Sequence, residues 1–392
     1  MDSMGGFFYG ILIFMAQPTN FDPNEFAKWL YDGLKETIAY RIKQTFSREK
    51  LLEQLQSKIP NQSQVFHFVL KHVFESSGFK FEELKQGDAN FYLIRKTIKK
   101  VEPGKKVRRL VLIPGFGDTP AAWMPIYGLL GRDLVKNFDE IILIDFPGYT
   151  GFLSHQALIP SMKLLQGLVK TVCIANPPTV LIGHSLGGWL AGKVAQELTQ
   201  PIEHLLVIAP SGLTPDHDER IKFGDFIVNN ENLQPQEILK LMMHEAGKFS
   251  SLIDADVKKF FAKPEIREFI ESVKPEDFID PTIGFKAKKV TVIWGENDQF
   301  VPSQWIRYWV EHYGVYLDAF LLKETGHLPH LERPIVLTQV LKQALFGKKE
   351  DEKTVSDWIK IQSRQKEFDQ DLAPKTLEPN LISVDPSPIA TG

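Results

Sequence analysis

Ser185 stands in Gly183-His184-Ser185-Leu186-Gly187-Gly188, directly after the apolar run Thr179-Val180-Leu181-Ile182. A serine hydroxyl is a weak nucleophile unless it is lifted clear of its neighbours beside a base. A sharp turn from strand to helix lifts it, and glycine is needed where a Cβ would crowd that turn. The segment therefore reads as a nucleophile elbow, with a helical stretch from Trp189 to Leu198 behind it. The chemistry implied is covalent attack on a carbonyl carbon.

A nucleophilic serine requires a general base and a carboxylate to orient that base, and after an elbow the acid precedes the histidine in the chain. The apolar strand Val290-Thr291-Val292-Ile293-Trp294-Gly295 runs into Glu296-Asn297-Asp298-Gln299-Phe300-Val301-Pro302. Asp298 is expected to be the orienting acid, with Glu296 as the competitor two positions earlier. A second apolar strand, Ala319-Phe320-Leu321-Leu322, leads to Thr325-Gly326-His327-Leu328-Pro329-His330. His327 is the expected base and His330 a spare in the same loop. Taken singly, these residues have ordinary roles: an aspartate at a strand end forms turns, and a loop histidine caps or faces solvent. Three separate strand-end loops that carry the required types in the required order are what single them out.

The fourth requirement is a pair of backbone N–H groups aimed at the oxygen that becomes an anion. The strand Arg109-Leu110-Val111-Leu112-Ile113 is followed by Pro114-Gly115-Phe116-Gly117-Asp118, where glycine on both sides lets the Phe116 N–H turn inward. Leu186, next after the serine, supplies the second expected donor. One such donor contributes about 2.7–4 kcal/mol of transition-state stabilisation.

From about Arg108 to Phe346 the chain resembles the α/β-hydrolase superfamily, of the lipase and esterase type that includes monoacylglycerol lipases. The resemblance rests on the elbow, on Gly295 to Pro302, on Gly326-His327-Leu328-Pro329-His330-Leu331-Glu332-Arg333-Pro334, and on Ile144-Asp145-Phe146-Pro147-Gly148. Two places depart from the family pattern. Pro114 replaces the usual histidine at the start of the oxyanion loop, and Tyr149-Thr150-Gly151-Phe152 replaces a small-residue and serine pattern. The resemblance implies an α/β fold: a mainly parallel, twisted sheet of eight strands with helices on both faces.

The elements that must position these groups agree with that fold. Apolar runs near Leu110, Ile142, Val180, Leu206 and Val292 alternate with helical stretches, as in a parallel sheet buried on both sides. Loops at the carboxyl ends of such strands gather into one crevice. Between Ser211 and Phe285 an insertion rich in Phe223, Phe226, Leu239, Met242, Met243 and Phe260 is expected to form a helical cap over that crevice. Its apolar side chains point to a substrate with an acyl or hydrocarbon chain.

The organisation expected is an apolar segment over residues 1–16, a helical extension and opening strands over 17–104, a core over 105–347 with its cap over 211–285, and a tail over 348–392. The opening strands include Phe91-Tyr92-Leu93-Ile94, and the tail reads as helical from Val355 to Phe368 and disordered from about Ala373. The twelve-residue run Gly5–Ala16 is too short for a comfortable membrane span and lacks a basic region before it, so it reads as a poor signal peptide; Met15 is an alternative start. Asp22-Pro23-Asn24-Glu25 reads as a helix start, continued by the stripe Phe26, Trp29, Leu30, Leu34, Ile38, Ile42 and Phe46. From Lys28 to Arg109 there are 18 basic and 9 acidic residues, so this helix either packs on its own domain or touches a membrane surface.

The chain has 392 residues, 43% of them hydrophobic, and a formal net charge of -3, which gives no reason to expect nucleic acid as a partner. No zinc spacing, phosphate loop or dinucleotide fingerprint occurs in it, so no metal and no cofactor is expected. Its single cysteine, Cys173, lies in an apolar helical stretch and is expected in the core. The combined expectation is a serine hydrolase of apolar carboxylic esters, cytoplasmic with membrane contact left open. Thioesterase, acyltransferase and carbon-carbon bond hydrolase activities use the same triad, and a non-catalytic membrane-docking protein is the alternative of another class.

Overall fold

The computed structural model describes residues 71, 74–75, 77–87, 89–146, 159–213, 235–245, 264–314, 317–347 and 357–361. Its centre is a sheet built from β1 (Lys80–Gln86), β2 (Ala89–Thr97), β3 (Arg109–Ile113), β4 (Glu140–Asp145), β5 (Val180–His184), β6 (Ile202–Ile208), β7 (Ala287–Gly295), β8 (Leu317–Leu322) and β9 (Trp358–Ile361). The spatial order is β1-β2-β4-β3-β5-β6-β7-β8-β9. The run from β4 to β8 is parallel throughout. The hairpin β1-β2 and the last strand β9 close the two ends in antiparallel pairing.

Helices cover both faces because both faces of the strands are apolar. Val111, Ile142, Ile144, Leu181, Leu205, Val207, Val292 and Trp294 belong to one buried cluster, shared with α2 (Met162–Ala175), α3 (Leu186–Glu197) and α6 (Ile306–Tyr313). Their neighbours in sequence, Leu110, Leu112, Ile141, Leu143, Ile182, Leu206, Ile208 and Ile293, face the other way, onto α1 (Met124–Asn137) and α7 (Pro334–Phe346). This two-residue alternation is the pleat itself, and a slip of one residue would exchange the two cores. Cys173 is buried in the first cluster, as expected, and burial pushes its thiol up to about 12.

The ends of the helices follow from local chemistry. The Ser161 hydroxyl accepts from the Leu164 N–H at the start of α2, and Gly347 at φ 66° ends α7 in the left-handed conformation that glycine adopts without cost. Of the expected cap, the described part is α4 (Pro235–Met242), α5 (Pro264–Glu271) and a short 3₁₀ turn at Pro275–Asp277.

The tail departs from its helical expectation at residues 358–361, which form β9 and bring the sheet to nine strands rather than eight. Without β9 the outer side of β8 would be an open row of N–H and C=O groups, and pairing with it outweighs a weak helical preference. Trp358 and Ile361 are buried there. Several expectations lie outside the described residues: the run Gly5–Ala16, the stripe from Phe26 to Phe46, the segment from Pro147 to Phe152, and Phe223, Phe226 and Phe260. Among the described residues, no helix is long and apolar enough to cross a membrane.

The order of the strands fixes where a site can form. After β3 the chain moves to one side, to β4, and later resumes on the other side with β5. Such a reversal opens a crevice beyond the carboxyl ends of the strands on either side of it. The loop Pro114–Asp118 leaves β3 at that point, and Ser185 leaves β5 beside it.

Candidate active site

Ser185 occupies the one residue between β5 and α3, with φ 52° and ψ -119°. This is backbone territory that costs a side-chain-bearing residue about 1–3 kcal/mol and persists only where the surroundings enforce it. Here the Ser185 N–H donates to Ile208 O at 2.8 Å, and its carbonyl accepts from Trp189 N at 3.0 Å. The flanking glycines are required by space. A Cβ on Gly183 would fall 2.1 Å from Gly187 O, and one on Gly187 would fall 2.4 Å from Pro114 O. The elbow is thus pressed against both its own strand and the loop after β3.

Three strand-end loops meet at Ser185. His327 Nε2 lies 2.9 Å from Ser185 Oγ, and His327 Nδ1 lies 2.7 Å from Asp298 Oδ2. A carboxylate can only accept, so Nδ1 carries the proton and Nε2 is left to accept from the serine hydroxyl. Ser185, His327 and Asp298 are 4%, 1% and 3% exposed, so the chain of hydrogen bonds is shielded from water. Burial pushes the Asp298 carboxyl up from its ordinary range, against the opposing pull of His327 and of the Val301 and Phe300 N–H groups. The other oxygen of Asp298 accepts from Val301 N at 2.9 Å. Glu296, the competing carboxylate, is exposed and stands outside this chain.

The acid and base loops are also tied to each other and to the cap. Asn297 N donates to Thr325 O at 2.8 Å, and His327 N donates to Met242 O, the end of α4, at 2.5 Å. The ring of Phe300 sits 5.1 Å from that of His327. On the opposite wall Phe116 stacks on Phe269 of α5, with centroids 5.2 Å apart and planes at 25°. Leu186 is the first residue of α3, and the first four N–H groups of a helix have no acceptor within it. Of the two expected oxyanion donors, Phe116 lies in the loop after β3 and Leu186 opens α3 directly after Ser185.

Behind the triad lies a second group of polar residues whose arrangement the sequence did not suggest. His184 Nε2 donates to the His327 carbonyl at 2.8 Å, which leaves Nδ1 as a lone pair with no hydrogen-bond partner. Nδ1 is 3.8 Å from Asp118 Oδ2, and His330 Nε2 is 3.4 Å from the same oxygen. His184 Nδ1, His330 Nε2 and the Asp118 carboxylate oxygen lie within 4.8 Å of one another. Gly115 takes up the space beside Nδ1, since a Cβ there would sit 2.7 Å away. Burial, then the nearby His330 and His327, hold His184 well below the ordinary histidine range, so it is neutral. His330 is no solvent-facing spare. It is buried, packed on Trp123 and edge-on to His184.

With this geometry in place, the comparison with known proteins is decisive on family. Residues 110–339 match the sequence profile of the Alpha/beta hydrolase family. The chain belongs to this family.

Relatives within it are distant and differ in chemistry. A dihydrolipoyllysine-residue acetyltransferase component of the acetoin cleaving system of Cupriavidus necator is 20% identical over 62% of this chain and 65% of its own length. The 2-hydroxy-6-oxo-6-phenylhexa-2,4-dienoate hydrolase of Comamonas testosteroni is 22% identical over 58% of this chain and 82% of its own length. The monoacylglycerol lipase abhd6-B of Xenopus laevis is 28% identical, over only 29% of this chain and 33% of that one. The solved structure of the lip1 protein of Acinetobacter baumannii AYE shares the fold, with a TM-score of 0.51 and 18% identity over 74% of this chain and 99% of that one. Family membership fixes the hydrolase fold, and the choice of reaction rests on the residues of this chain.

Proposed function

We propose that this α/β hydrolase is a serine-dependent esterase that cleaves carboxylic esters with an apolar acyl chain through an acyl-enzyme. The observation that carries the reading is the buried hydrogen-bonded line from Ser185 Oγ through His327 to Asp298. His327 Nε2 takes the hydroxyl proton as Ser185 Oγ attacks the ester carbonyl, and the Phe116 and Leu186 N–H groups receive the charge on the carbonyl oxygen. When the ester C–O bond breaks, the leaving alkoxide takes that proton from His327. Water then loses a proton to the same nitrogen and attacks the acyl carbon, and the acyl–Oγ bond breaks as His327 returns that proton to Ser185 Oγ, which releases the acid. Asp298 keeps the imidazole in the productive tautomer and stabilises its charged form.

The acyl preference is supported by the walls of the crevice. Phe300 packs beside His327, Phe116 of the loop after β3 stacks on Phe269 of α5, and Leu239, Met243 and Leu328 form a further apolar cluster where α4 meets the base loop. A monoacylglycerol-like lipid fits this chemistry, and the basic segment from Lys28 to Arg109 would favour an anionic membrane surface as its source.

The test is labelling with a fluorophosphonate probe, which needs an activated serine and no knowledge of substrate, followed by oxygen esters, thioesters and dienoates of graded chain length. Labelling lost in Ser185→Ala and His327→Ala, with oxygen esters of longer chains turned over fastest, is the expected result. Faster turnover of thioesters or dienoates would reassign the reaction while keeping the triad. A folded wild type that neither labels nor hydrolyses any of them would overturn the proposal in favour of a binding role.

A further inference from the structure

The cap and the catalytic loops are joined through one end of one helix. The last turn of α4 leaves carbonyl groups without partners inside the helix. Two of them are used by the catalytic loops: Leu241 O accepts from Gln299 N at 3.0 Å in the acid loop, and Met242 O accepts from His327 N at 2.5 Å in the base loop. Immediately afterwards the chain turns, and His244 N donates to Glu332 Oε2 at 2.7 Å. The other oxygen of the same carboxylate accepts from Gly326 N at 2.9 Å, one residue before His327. The contact is tight enough to require glycine, since a Cβ on Gly326 would lie 2.4 Å from Met242 O and 2.8 Å from Glu332 Oε1.

We propose that Glu332 is a positioning residue that latches the end of α4 onto the base loop and thereby sets the reactivity of Ser185. This deepens the serine-hydrolase reading and rests on it. A carboxylate suits the role because each oxygen accepts from a different segment, and hydrogen bonds to an ionised acceptor are the strong ones. Glutamine keeps the volume but has only one accepting atom, and its amide would turn an N–H toward the donors of one of the two segments. The bonds from His244 to Glu332 and from His327 to Met242 thus brace the base loop against the end of α4.

The experiment compares wild type, Glu332→Gln and His244→Pro in the full chain. The second variant removes the His244 N–H, one of two that reach the carboxylate from this side beside that of Glu245, while leaving Glu332 and the base loop intact, so it carries the test if Glu332→Gln does not fold. Two quantities are read: the rate of fluorophosphonate labelling per folded molecule, and hydrogen exchange over residues 238–245. The expected result is labelling at least tenfold slower in both variants with native circular dichroism, accompanied by faster exchange in that segment. Labelling within twofold of wild type overturns the latch even if melting temperature falls, because Glu332 then serves stability alone. An unlabelled wild type overturns the hydrolase reading instead, and exchange over 238–245 that is unchanged in Glu332→Gln overturns the latch independently of any activity.

Discussion

Nε2 of His184 donates to the backbone carbonyl of His327 across 2.8 Å, so the residue before Ser185 braces the loop that carries His327. The elbow therefore does more than present a hydroxyl. It fixes the position of the imidazole from below, while Asp298 fixes its orientation from the side.

Replacing His184 with alanine removes that donor and leaves a buried carbonyl unsatisfied. A loss of about 1–3 kcal/mol in stability is expected, together with slower labelling of Ser185. Urea unfolding alongside probe labelling reads both. An unchanged urea midpoint would show that the carbonyl finds another donor.

The strain at Ser185 predicts that glycine is the more stable residue at this position. Ser185→Ala and Ser185→Gly both lack the hydroxyl, so their difference isolates the backbone at φ 52°. The glycine variant should be the more stable by about 1–3 kcal/mol, and both should be inert to the probe. Equal melting temperatures for the two would mean that the elbow is relaxed.

The two carboxylates of the acid loop should separate cleanly. Asp298→Asn keeps the shape but no longer requires a proton on Nδ1, and a fall in kcat of about 10⁴-fold is expected from losing the correct tautomer. Glu296→Gln alters an exposed group and should leave ester hydrolysis within twofold of wild type. Parallel kinetics on the two variants decide which carboxylate orients the base.

Buried histidines set the response to acid. Burial, then the charge of Lys289, lowers His204 to about 4, and its Nε2 is 2.8 Å from the Thr291 hydroxyl. The unfolded chain takes up a proton at this residue near ~6.5 while the folded chain does not, so stability from this group falls as pH drops from about 6.5 to 4. The folded-state value is the lower one, so this loss is complete once the pH reaches it. Across the window it amounts to about 3 kcal/mol. Denaturation midpoints measured against pH should decline less steeply in His204→Gln than in wild type. Identical slopes would place the acid sensitivity elsewhere.

Much of this site was legible in the chain because its parts are local. A strand, a glycine turn and a helix lie within a few residues of Ser185, and the order elbow, acid, histidine is a property of sequence alone. The alternation of Leu110 with Val111 or Leu205 with Leu206 is likewise local, because it reflects the pleat of a strand covered on both faces.

What only the tertiary structure decided are the contacts between segments far apart in the chain. Asp298 is buried and hydrogen-bonded to His327 while Glu296 is exposed, although both carboxylates lie in one loop. His330 resembles a spare until the fold places it against Trp123 and His184, and Glu332 shows its two-handed grip only when α4 of the cap arrives beside it. The short segment Trp358–Ile361 becomes a strand because β8 offers it an open edge. Sequence fixes which conformations and chemistries each segment can adopt, since those depend on neighbours along the backbone. Hydrogen-bond partners, burial and the resulting pKa shifts depend on neighbours in space, and these exist only once the chain has folded.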